Sequence, residues 1–195
     1  MVLAAKIMQR AQIWPMSPSS QQRRPAPQFD PVSVAEAISL LETAIASVSE
    51  TEDASALLMD LTKAAAAAND WQKSERAAQR LLDCVRVRDL DWMHGNAIFY
   101  GHAGIGRAAL RRGDVAEAKQ RLLAALEMSG SPQLSSFGPN MSLAKELLEV
   151  GEREVVLEFL ERCRPMWTLH GDRLDTWKAI VQDGRIPDFG ANLVY

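Results

Sequence analysis

The chain has 195 residues, 47% hydrophobic, 24% charged and 6% aromatic, enough to bury one sizeable core without disulfides or metals. A net charge of −3 and a pI near 5.7 exclude a global attraction to nucleic acid or to an anionic membrane. Charge is nevertheless uneven: Lys6, Arg10, Arg23 and Arg24 against Asp30 give residues 1–31 a charge of +3, leaving −6 for the rest.

That basic head also holds Pro15, Pro18, Pro25, Pro27 and Pro31 among Ser and Gln, a composition too poor in apolar surface to offset the entropy of ordering. Residues 1–31 therefore read as a flexible segment, with a short amphipathic helix or an extended reading-frame start at Met1 to Trp14. Lys6, Arg10 and the glutamines interrupt that opening run, which leaves neither a signal-peptide core nor the ~18 apolar residues of a membrane span. Cys84 and Cys163 have no metal-ligand spacing and read as reduced structural thiols of a cytoplasmic protein.

From Val32 the apolar residues recur at three and four. Val34, Ala37, Ile38, Leu41, Ala44, Ile45 and Val48 mark the buried face of a first helix. An alanine-rich helix over about 54–68 follows and ends at Asn69-Asp70. A third begins near Trp71 and turns Ala77, Ala78, Leu81, Leu82 and Val85 inward. The fourth, about 92–112, contains Gly95, Gly101, Gly104 and Gly106. Each glycine costs a helix interior about 1 kcal/mol relative to alanine, so their density predicts close approach by a neighbouring helix or a ligand.

Ile105-Gly106, Ala109-Leu110, Gly113-Asp114, Glu117-Ala118, Leu122 and Ala125-Leu126 resemble the tetratricopeptide repeat (TPR) in residue type and spacing, over about residues 99–132. Gly113 supplies a left-handed C-cap, Asp114 caps the next helix, and Ala118 is small where the two helices cross. His102 replaces the family's bulky aromatic, and Gly130 its closing proline. Weaker copies lie downstream, at Leu143-Ala144, Leu147-Leu148, Gly151-Glu152, Val156 and Leu160, and upstream, at Leu58, Leu61-Thr62, Asn69-Asp70, Ala78 and Leu81. One hairpin cannot bury its own apolar face, so neighbouring copies are required. Asn69 and Gly113 are 44 residues apart, and Gly113 and Gly151 38. Both spacings exceed the ~34 residues of the repeat, which predicts longer connections at residues 86–91 and 129–140.

The resemblance implies an all-α fold: a short right-handed α-α superhelix of antiparallel helix pairs over residues 32–183. A capping helix at about 172–182 ends the stack, and an apolar tail at 184–195 packs back on it. It further implies a non-catalytic module whose first helices line a groove for a peptide or another protein.

Aligned on their turns, the pairs place Lys63, Arg107 and Lys145 six residues before Asn69, Gly113 and Gly151. In the family resembled this position often contacts a bound peptide, so three cations in register imply selection of acidic side chains or a C-terminal carboxylate. The bland alternative is a solvated helix surface. The segment 131–140, apolar at Leu134 and Phe137 and stiffened by two prolines, suits either a loop that touches a ligand or simple gap-filling.

A reading from another class is a small-molecule or catalytic pocket around Asn96, Tyr100, His102, Phe137 and Asn140. His94 and His102 are eight residues apart and lack the four-residue spacing of a metal pair. A structural homodimer through an exposed stack edge is the third reading. No cofactor is expected. The glycine run 101–106 follows no strand, so it cannot cradle a phosphate as a dinucleotide-binding turn does.

Overall fold

The computed structural model describes residues 31–48, 54–87, 93–128 and 130–194. The expectations for the Pro-rich head up to residue 30, and most of the connection at 86–91, lie outside them. The described residues are helical without strands: α1 (Pro31–Ser47), α2 (Ser55–Ala67), α3 (Trp71–Val87), α4 (His94–Arg111), α5 (Val115–Ala124), α6 (Pro132–Phe137), α7 (Ser142–Glu149), α8 (Arg153–Cys163) and α9 (Arg173–Gln182). A 3-10 turn at Gly190–Leu193 follows. None of these helices is long and apolar enough to cross a membrane.

The helices pack as consecutive pairs, α2 on α3, α4 on α5 and α7 on α8, with α1 against α2 and α9 against α8. First helices also touch first helices, α2 on α4 and α4 on α7. The turn of each pair is built the same way. Asn69, Gly113 and Gly151 sit at φ 58°, 81° and 90°. The next residue's amide then closes back on the preceding helix: Asp70 N to Ala65 O at 2.9 Å, Asp114 N to Ala109 O at 3.0 Å and Glu152 N to Leu147 O at 2.9 Å. Asp70 and Asp114 go on to cap the following helix, accepting from the amides of Lys73 and Glu117. Glu152 makes no such cap and its carboxylate pairs instead with Lys119 on α5.

α9 ends in the same device. Gly184 has φ 79°, lies 33 residues beyond Gly151, and is followed by an Arg185 N to Ile180 O bond of 3.1 Å. By this register α9 stands where the first helix of a fourth pair would stand.

The glycines of α4 answer to close packing. A Cβ on Gly104 would lie 2.6 Å from Thr62 Cγ2 of α2 and 2.9 Å from Ala78 Cβ of α3. One on Gly106 would lie 2.6 Å from Leu143 Cδ2 of α7. α4 is thus clasped by three neighbours, which outweighs its poor helix propensity.

The connection at 129–140 differs from a plain loop, because it contains α6. Ser131 caps it by accepting from the Leu134 amide at 3.2 Å, and Pro132 occupies its first turn, where no intrahelical donor is needed. The tail folds back on this segment. Phe189 is buried, its ring 5.0 Å from that of Trp177. Asn192 donates to the carbonyls of Phe137 (3.1 Å) and Pro139 (3.0 Å), while its own carbonyl accepts from the Met141 amide (2.7 Å). A main core runs from Val34 of α1 to Phe189.

Candidate functional site

The three cations brought into register by the turns have different surroundings. Lys63 on α2 is half-buried, with its Nζ 3.9 Å from the ring centroid of Tyr100 on α4. Burial drives its pKa down to about 8, and the charge of Asp60, one turn earlier on α2, opposes that shift. Asp60 is itself buried, and loss of solvent raises its carboxyl above the usual range.

Arg107 on α4 is committed to Glu146 on α7, donating from Nη2 at 2.7 Å and from Nε at 3.1 Å. Arg111, one turn on, donates to the same oxygen at 2.9 Å, and both guanidinium groups lie over the Trp71 ring at 5.0 and 4.5 Å. Lys145 is half-buried and pairs along its own helix with Glu149. The ladder therefore consists of one amine on an aromatic ring and two cations already matched by carboxylates of this chain.

The residues assigned to a small-molecule pocket have separate neighbours. Asn96 is buried and ties α4 to α6, donating to Gln133 at 2.8 Å and accepting from Ser131 at 2.6 Å. Tyr100 is buried edge-on against Phe99 beneath Lys63. His102 faces α5, with Nδ1 3.4 Å from Arg121 Nη1. Phe137 is 61% exposed, and Asn140 accepts from the Ser142 amide at the start of α7. No set of three or more His, Cys, Asp or Glu side chains among the described residues is arranged to hold a metal ion.

A cleft that sequence reasoning missed opens between α1, α2 and α3, with a volume of about 470 Å³. Its floor is Ile45, Leu61 and Ala77, all buried. Its rim is Glu42 from α1 and Lys73, Arg76 and Arg80 from α3. Lys73 pairs with Glu42 at 2.7 Å. Arg76 and Arg80 are exposed and carry no carboxylate partner among the described residues. Lys73, Arg76 and Arg80 recur at three and four, so one face of α3 supplies the whole basic edge. That spacing was visible in the sequence, but the position of α1 opposite it was not.

No family model, curated protein or solved structure matches the chain.

Proposed function

We propose that the chain is a non-catalytic, TPR-like interaction module whose helix pairs form a short right-handed superhelix and that it binds an acidic segment of another protein. The segment lies in the α1–α3 cleft. The observation that carries this reading is the pair Arg76 and Arg80: two exposed guanidinium groups without a carboxylate partner among the described residues, beside an apolar floor.

An amphipathic acidic segment suits both features, burying apolar side chains on Ile45 and Leu61 while its carboxylates reach the α3 edge. Arginine is the better cation for this task because its planar donors match a carboxylate in two bonds. The first-helix groove is less suited to that ligand, since Arg107 and Lys145 already hold Glu146 and Glu149.

Photo-crosslinking in the native cell tests the reading. A crosslinking residue at Gln79, adjoining the rim, is expected to capture a protein through an acidic peptide, identified by sequencing the crosslinked fragment. Arg76→Glu with Arg80→Glu is expected to abolish that capture in a protein that keeps its helical content and thermal midpoint. Capture through a basic or uncharged peptide, or capture indifferent to the double reversal, would refute it.

A further inference from the structure

The basic edge of the α1–α3 cleft is not uniform. Lys73, Arg76 and Arg80 follow one another on a single face of α3, yet Lys73 is held by Glu42 of α1 at 2.7 Å, whereas Arg76 and Arg80 have no carboxylate partner among the described residues. The side chain of Glu42 is 47% exposed and that of Lys73 25%, so the pair stands on the rim, above the buried floor of Ile45, Leu61 and Ala77. An acidic side chain of the protein itself thus sits where a ligand carboxylate would otherwise meet Lys73.

We infer that, taking an acidic segment as the ligand of this cleft, Glu42 is the residue that determines which acidic segment binds. It neutralises Lys73 from within and repels a further carboxylate at that end, so the cleft reads a pair of carboxylates and not a row of three. Arg76 and Arg80 are one helical turn apart, about 6 Å between side-chain origins. A ligand helix with two carboxylates at the same interval meets both, each guanidinium donating to one of them. A third carboxylate, next along the row, would come against Glu42 beside apolar surface, where like charges are poorly screened. Selectivity of this kind comes from the group that repels the wrong ligand as much as from those that attract the right one. The partner segment is accordingly a helix with one acid pair beside an apolar stripe, distinct from a polyacidic run.

Three fluorescein-labelled helical peptides of equal length and charge, each with three glutamates and a leucine stripe, test this against the full chain by anisotropy. In the first, two glutamates one turn apart adjoin the stripe and the third lies on the far face. In the others the third is moved beside the pair, three residues before it or three after it. The parent protein is expected to bind the first peptide at least as tightly as the others. Glu42→Gln, whose amide oxygen can still accept from Lys73, is expected to bind one of the three-acid faces about fivefold more tightly than the pair. Adding Lys73→Met to Glu42→Gln should remove that gain. A preference that Glu42→Gln leaves unchanged, as a merely structural role would, overturns the assignment of Glu42, and so does a gain that survives Lys73→Met. Failure of the first peptide to bind the parent, or binding indifferent to Arg76→Glu with Arg80→Glu, overturns the acidic-ligand reading and the role of Glu42 with it.

Discussion

Arg107 and Glu146 join the second helix pair to the third through two guanidinium donors on one carboxylate, with Arg111 completing the same oxygen's shell. Glu146 is only 12% exposed in its side chain, so removing its partners leaves a largely desolvated charge. Arg107→Leu is expected to cost about 1–3 kcal/mol in chemical denaturation. Glu146→Gln in that background should recover part of the loss, giving a measurable coupling energy between the two positions.

Gly104 tests whether α4 is glycine-rich for packing. On helix propensity alone Gly104→Ala would stabilise by about 1 kcal/mol. The overlap with Thr62 Cγ2 and Ala78 Cβ should win and leave a net loss of about 1–3 kcal/mol. Thr62→Ser removes the first clash while keeping the hydroxyl that donates to Leu58 O, and is expected to restore part of the stability. A more stable Gly104→Ala protein would contradict the contact.

Asn69 is the non-glycine residue with a left-handed backbone among the described residues, at φ 58°. Asn69→Gly relieves that conformation and should raise stability by up to about 1 kcal/mol; Asn69→Val should lower it by about 1–2 kcal/mol. Thermal melts of the two variants, bracketing the parent protein, check the turn directly.

Lys63 also makes a prediction for stability against pH. Its pKa is about 8 folded and near 10.5 as an ordinary lysine, so between these values the unfolded chain binds more protons at this site. The site therefore opposes folding below pH 8, and that opposition fades as pH rises towards 10.5. Lys63→Met should stabilise the protein at pH 7 by about 1–3 kcal/mol, with the gain shrinking on going to pH 10. Matched urea titrations of parent and variant across that range give the difference, in which titration of other groups cancels.

Much of the fold was legible because its turns are local. Asn69, Gly113 and Gly151 announce their helix ends through the need for a left-handed residue, and the glycines of α4 announce close approach. α6 was legible in principle, since Ser131-Pro132 is a helix start by capping and by the missing proline donor. The candidate site was less readable. Lys145 and Glu149 are one turn apart and could be paired on paper, but Glu146 reaches Arg107 only after α4 meets α7. The cleft at Arg76 and Arg80 depends likewise on where α1 lands, which no residue of α3 encodes.

Asn192 introduces a kind of contact that the hairpin turns lack, bridging 53 and 55 residues of chain to the carbonyls of Pro139 and Phe137. Helix pairs assemble through short loops and can form one after another as the chain emerges, whereas this tie closes only after residues near 190 have been made. The corner between α6 and α7 is accordingly finished by a residue made much later in the chain. Its amide protection during refolding should mature together with that of residues 189–192, later than that of the turn at Gly113.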